Sequence, residues 1–249
     1  MLTLIGLGLH DEKDLTLRGI DAAKAAKKVY AEFYTSYWHG NLKKMEKIVG
    51  KKIFVLSRKD LEEEAKKIIE EAKNKKIVLL VQGDPLVATT HITLIQEARK
   101  RKVKVKIIHN ASIVSAIGET GLHLYKFGPT VTIPFPEKTK GKLPESLYEV
   151  IRENKKRGLH TLCLLDVVAE DKKYMTVQEG LNTLLELENK RKEDVLSEDT
   201  EVVVFSDAGG KNSSVVFDKV KNLLKRSFEK PAVIIVPGIL HFTEREFLI

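Results

Sequence analysis

Three short turns carry the residue types from which a binding site can be built. Gly6-Leu7-Gly8-Leu9-His10-Asp11 follows one apolar run, Val81-Gln82-Gly83-Asp84-Pro85-Leu86-Val87 closes a second, and Asn110-Ala111-Ser112-Ile113 follows a third. Glycine allows close backbone approach by a ligand, and a carboxylate such as Asp84 accepts hydrogen bonds from hydroxyl or ammonium groups. Each turn also has a plainer reading. The glycines make a tight turn, Asp84-Pro85 breaks a strand while the carboxylate binds local N–H groups, and Ser112 caps the helix that follows. The first turn departs from the dinucleotide fingerprint, because Asp11 stands where a third glycine is needed and Asp21, the acidic residue nearest the required spacing, lies within the expected first helix.

Other chemistries lose their usual entry points. His10, His39, His91, His109, His123, His160 and His241 include no pair spaced to share a helix face, and the one cysteine, Cys163, sits inside the apolar run Thr161–Val168, so no metal site is expected. Neither a Gly-x-Ser-x-Gly elbow nor a glycine-rich triphosphate loop occurs. Three backbone turns without an obvious nucleophile suit an enzyme whose cofactor carries the reactive group. No catalytic residue is assigned.

The elements that must position these turns follow from periodicity. Short apolar runs alternate with longer stretches of helical period, the pattern of α/β architecture with largely parallel sheets covered on both faces. Strands are expected at Leu2–Leu7, Val29–Phe33, Ile77–Val81 and Val103–Ile108. Between them, Leu15, Ile20, Ala23 and Ala26 share one helix face. Ser57 and Asp60 cap a helix with the stripe Leu61, Ala65, Ile68, Ile69 and Ala72, and a third helix runs from about Thr90 to Lys100. The glycines after Asn110 mark a change of domain, giving an N-terminal α/β domain over 1–110 and a C-terminal one over 111–249. The second contains strands at Val131–Ile133, Thr161–Val168, Glu201–Phe205 and Val233–Val236. Its helices start at Pro144, at the Thr176/Glu179 capping box and near Phe217–Leu224.

Composition bounds the remaining possibilities. The 249 residues are 43% hydrophobic and 31% charged, enough for one large or two ordinary domains and too apolar for a disordered chain. The longest apolar runs fall far below the ~18 residues of a membrane span, and no basic-then-apolar leader precedes Leu2. With one cysteine and no targeting segment, a cytoplasmic protein is expected. The net charge of +8 favours acidic partners, yet the basic run Arg99–Lys106 has no interleaved aromatic for base stacking and reads better as a helix end and a solvated strand face.

Several segments together resemble the diphthine synthases, a branch of the tetrapyrrole methylases. They are Leu4–Leu9, Ala31–Ser36, Gly83–His91, Ile108–Ile113, Gly121–Gly128 and Gly158–Leu162. The first turn and the Gly-Asp-Pro turn indicate only the broader group; Ala88-Thr89-Thr90-His91 and Leu124–Gly128 narrow it, and the likeness covers nearly the whole chain. The resemblance implies two α/β domains with a cofactor cleft between them and methyl transfer from S-adenosyl-L-methionine, leaving S-adenosyl-L-homocysteine. It implies as substrate translation elongation factor 2, on the amino group of an aminocarboxypropyl-modified histidine. It also implies a homodimer with no membrane and no direct nucleic acid required, for which the aromatic cluster Tyr34, Tyr37 and Trp38 offers a partly exposed surface. Cofactor contacts carry over to Leu9, Asp84, Val87, Ser112, Ile113, Leu165, Ala208 and Ala232. Asp207 stands where the family commonly has Arg and Ala232 where it commonly has His, and the chain's end at Ile249 implies a shortened final helix. The alternatives are a tetrapyrrole or RNA methyltransferase of the same superfamily, or a basic RNA-binding module without activity.

Overall fold

A computed structural model describes residues 1–142 and 144–249. The chain divides into two compact units, 1–115 with 169–171, and 116–168 with 172–249. Residues 111–115 thus pack with the first unit.

The first unit is built on a five-stranded sheet of order β3-β2-β4-β1-β5, from β1 (Leu2–Gly6), β2 (Lys28–Glu32), β3 (Ile53–Leu56), β4 (Ile77–Val81) and β5 (Val105–Ile108). Every pairing in it is parallel. The apolar runs alternate between two buried faces. Ile5, Val29, Val78 and Leu80 pack with Ala23 of α1 (Leu17–Ala25) and Met45 and Val49 of α2 (Leu42–Val49). Leu2, Leu4, Tyr30 and Leu79 pack with Leu61 of α3 (Arg58–Glu62), Ile68, Ile69 and Ala72 of α4 (Lys66–Asn74), and Leu94, Ile95 and Ala98 of α5 (Ile92–Lys100). Both faces being covered is what makes the central strands β1 and β4 so hydrophobic, while the edge strands β3 and β5 leave Phe54, Val55 and Lys106 exposed. The helix α6 (Ile113–Ala116) follows β5.

The expected single helix after Ser57 is two. Its capping box forms as anticipated, but the Lys59 carbonyl accepts from both Glu63 and Glu64, which ends the i to i−4 ladder before α4 restarts on the same apolar stripe. The expected series also passes directly from β2 to Ser57, whereas α2 and β3 occupy that interval. Arg101, in the basic run, is held by Glu97 and Glu70 at 2.9 Å each. Tyr34, expected on a surface, is buried at 5% exposure in the core beside Leu61.

The second unit holds a five-stranded sheet of order β11-β10-β12-β7-β6, from β6 (Val131–Ile133), β7 (Thr161–Leu165), β10 (Glu201–Ser206), β11 (Ser214–Lys219) and β12 (Ala232–Val236). A small pair, β8 (Val167–Val168) and β9 (Lys173–Tyr174), stands apart. Here the expectation of largely parallel pairing is overturned. Only β6 and β7 run parallel; β7, β12, β10 and β11 pair antiparallel. The helices α7 (Glu145–Lys156), α8 (Val177–Arg191) and α9 (Val220–Leu223) cover it through Leu147, Tyr148, Leu181, Leu184 and Leu223. The run Thr161–Val168 breaks at Asp166, whose carboxylate accepts from the N–H groups of Phe135 and Val167 and from Lys138. The segment expected as a helix from Phe217 is strand as far as Lys219, because Val215–Phe217 pairs with β10 along its open edge. Cys163 is wholly buried, which pushes its thiol up to about 12 and removes its reactivity.

A final helix, α10 (Phe242–Leu248), is fixed by one carboxylate. Glu244 has no exposed surface and accepts from the His123 N–H at 2.8 Å, His160 Nε2 at 3.0 Å, Lys126 Nζ at 2.5 Å and the His241 N–H at 2.6 Å. Burial alone pushes a carboxyl up; these donors outweigh it and hold Glu244 at about 2. His160, also buried, accepts from the Gly238 N–H through Nδ1, and burial pushes its imidazole down. Among the described residues no helix is long and apolar enough to cross a membrane.

Candidate functional site

In a parallel sheet the strands all end on one edge, and ligands bind outside the carboxyl ends. The three turns singled out by sequence leave β1, β4 and β5, and β1 lies between the other two. They are tied together there. Gly8 and Gly83 exchange backbone hydrogen bonds at 3.0 and 3.2 Å, and the Asn110 amide donates to the carbonyls of Gly6 and Asp14, each at 2.9 Å. Gly6 makes this meeting possible. A Cβ on it would stand 2.5 Å from the Gly83 carbonyl oxygen and 2.7 Å from the Asn110 Cβ, so any side chain would push the outer turns apart.

Asp84 reaches across that gap. Its Oδ2 accepts from His109 Nδ1 at 2.8 Å and from the Asn110 N–H at 3.2 Å, and its Oδ1 accepts from the Leu86 N–H at 3.0 Å. A carboxylate offers about four acceptor positions, so these three donors leave capacity for one more. Gly83, at φ +64, has nothing nearer than 3.8 Å to a virtual Cβ, the closest atom being the Ser112 Cβ. A buried carboxylate with unused acceptor capacity beside an open glycine turn fits a ligand bearing hydroxyl or ammonium groups.

A second buried carboxylate stands one strand away. Glu32 ends β2, paired with Val81 of β4, and has no exposed surface. It accepts from the Thr35 hydroxyl at 2.8 Å and from the Tyr34 and Thr35 N–H groups. These do not offset its burial, which pushes it up to about 7. His91 Nε2 lies 4.0 Å from Glu32 Oε1, and burial pushes that imidazole down to about 4. At neutral pH the histidine is therefore uncharged, and burial holds the acid's proton far more tightly than water would.

The eight candidate cofactor residues divide by unit. Leu9, Asp84, Val87 and Ser112 lie in the turns after β1, β4 and β5, and Ile113 opens α6 directly after the third. Ser112 precedes α6 and is tied to it through its backbone: its N–H donates to the Ser115 hydroxyl, which in turn donates to the Ser112 carbonyl. In the second unit, Ala232 opens β12 opposite Ser206, the last residue of β10, while Leu165 ends β7 one position beyond the Leu164–Val233 pair. Antiparallel pairing thus brings Leu165, Ala232 and the turn containing Ala208 to one end of the second sheet. Sequence reasoning left His109, Asn110, Glu32 and His91 without roles. A lone acid closing the apolar run Val29–Ala31 is the signal that marks Glu32.

Parallel strands meeting at glycine turns define a class, and the comparisons agree on it. The family model described as tetrapyrrole (corrin/porphyrin) methylases matches residues 1–224. The chain is 52% identical to the diphthine synthase of Methanocaldococcus jannaschii over all of its length and 97% of that protein, and 50% identical to that of Methanococcus maripaludis with the same coverage. A crystal structure of diphthine synthase superposes with a TM-score of 0.89 at 38% identity, covering 99% of this chain and 94% of that one. The chain belongs to the diphthine synthase family within the tetrapyrrole methylases, and it is a methyltransferase.

Proposed function

We propose that this protein transfers methyl groups from S-adenosylmethionine to the amino nitrogen of an aminocarboxypropyl-extended histidine in translation elongation factor 2, one stage of diphthamide synthesis, in the cytoplasm and as a homodimer. The observation that carries the reading is identity above half with a diphthine synthase along the entire chain. We assign cofactor contacts to Leu9, Asp84, Val87, Ser112 and Ile113 of the first unit and to Leu165, Ala208 and Ala232 of the second.

The cofactor supplies an activated methyl on a sulfonium. The chain's share of the work is to hold acceptor and donor in line, keep water out and accept the cofactor's polar groups. Asp84 suits the last task, its remaining acceptor position matching a ribose hydroxyl or the amino-acid ammonium. Held by Asp84 and the other assigned contacts, the cofactor would supply its sulfonium methyl to the amine and would be left as S-adenosylhomocysteine. An amine reacts only in its neutral form, and removal from water favours that form, so no dedicated base is assigned.

The test uses labelled S-adenosylmethionine with modified factor, unmodified factor and a tetrapyrrole, followed by mass analysis of each. Labelling confined to the modified factor is expected. Equal labelling of the unmodified factor, or transfer to the tetrapyrrole, would remove the substrate assignment. Light scattering at micromolar concentration reads the dimer, and a monomer mass rejects it.

A further inference from the structure

His109 stands outside the cofactor contacts assigned above, yet it holds the one carboxylate among them. Its Nδ1 lies 2.8 Å from Asp84 Oδ2, and because an ionised carboxylate only accepts, that nitrogen carries the hydrogen. The two residues leave strands that are not neighbours; β1 separates them, and they meet only over Gly6. Their surroundings differ sharply: the Asp84 side chain is 8% exposed and that of His109 67%. The Asn110 and Leu86 N–H groups fix the acid's place in the fold, one on each oxygen. The ring therefore adds little to folding, but it sets the rotation of the carboxylate and occupies the position on Oδ2 that would otherwise compete for the ligand.

We propose that His109 is a positioning residue for the cofactor, acting through Asp84 to aim that carboxylate's one remaining acceptor position. The inference rests on the reading of Asp84 as a cofactor contact. A histidine so placed governs affinity for the cofactor more than the rate of methyl transfer once the cofactor is bound. It also makes Asp84 and His109 one functional unit, so loss of either removes the same interaction.

The experiment is calorimetric binding of S-adenosylhomocysteine to wild type, Asp84→Ala, His109→Ala, His109→Asn and the Asp84→Ala/His109→Ala pair, with thermal melts of each. Asp84→Ala is expected to raise Kd roughly five- to a hundredfold, and His109→Ala roughly three- to thirtyfold. The double variant should be no worse than Asp84→Ala alone, and the melts should stay close to wild type. His109→Asn, whose amide can donate from near the Nδ1 position, should recover most of the affinity. Multiplying effects in the double variant, or a His109→Ala affinity equal to wild type while Asp84→Ala is weakened, overturns the positioning role and leaves Asp84 at the cofactor. An unchanged affinity in Asp84→Ala overturns the contact itself, and the proposal with it.

Discussion

The carboxylate–histidine contacts of the two units, Asp84–His109 and Glu32–His91 in the first and Glu244–His160 in the second, use the same chemical groups to opposite ends. In the second unit Glu244 takes four donors, two of them on charged or titratable side chains, and is held ionised at about 2. Its acceptor positions are filled by its own chain, so it binds α10 to the 123–126 turn and to His160 and has nothing left for a ligand. In the first unit Asp84 takes three donors, and Glu32, whose donors are the Thr35 hydroxyl and uncharged backbone N–H groups with no lysine among them, is lifted by burial to about 7. A saturated buried acid fixes structure; an unsaturated one at the carboxyl edge of a parallel sheet is available to chemistry.

The contrast breaks first at Glu244. Glu244→Ala should cost about 3–5 kcal/mol, since it leaves His160 Nε2 and the His123 and His241 N–H groups without this acceptor and takes from Lys126 its carboxylate partner, leaving it the Ile239 carbonyl. Chemical denaturation measures this, and a cost below about 1 kcal/mol would show the cluster to be dispensable.

Glu32 comes next, with the sign set by its raised value. Folding holds its proton more tightly than the unfolded chain does, so the stability it adds is complete below about 4.5 and is lost as pH rises through about 7. His91 is lowered to about 4 from 6.5, and its contribution is lost instead as pH falls through that window. The two slopes oppose each other in wild type. Glu32→Gln leaves only the histidine's, so the stability of wild type relative to the variant should fall by roughly 3 kcal/mol between pH 4.5 and 7. Denaturant titrations at four or five pH values read it directly, and a constant difference refutes the raised acid.

Smaller again is Gly6→Ala. Its Cβ would meet the Gly83 carbonyl and Asn110, and separating those turns should cost about 1–3 kcal/mol together with at least a tenfold loss of cofactor affinity. A variant that melts lower but binds normally would place the cofactor away from these turns.

Least is expected from Ala232→His. Ala232 opens β12, where peptide groups can read a ligand edge whatever the side chain is, so affinity should change by less than about 1.4 kcal/mol, or tenfold. A much larger gain would show that an imidazole makes that bond in relatives and that this chain binds more weakly for lack of it.

Local rules were most legible where one signal decided the outcome. The strands β4 and β12 are unbroken apolar runs, β1 is interrupted only by Thr3, and the capping boxes at Ser57 and Thr176 form at the spacing that marked them. Reading was weakest where a distant partner chose between options. Val215–Phe217 has residues that suit either a strand or an amphipathic helix, and the open edge of β10 made it strand. The run Thr161–Val168 has no internal breaker of strong type, and only the approach of Phe135 and Lys138 turned Asp166 into one.

By itself the sequence determined the alternation of strands and helices, the three turns at strand ends and the family to which those turns belong, because periodicity, capping and glycine placement act over a few neighbouring residues. The tertiary structure decided the strand order that sets β1 between β4 and β5, the antiparallel pairing of the second sheet, the donors that reach Asp84, and the charge states of Glu32 and Glu244. An acid's role depends on how many donors reach it and how much water is removed, and both are set by residues far away in the chain: His109 for Asp84, at 25 positions, and Lys126 for Glu244, at 118.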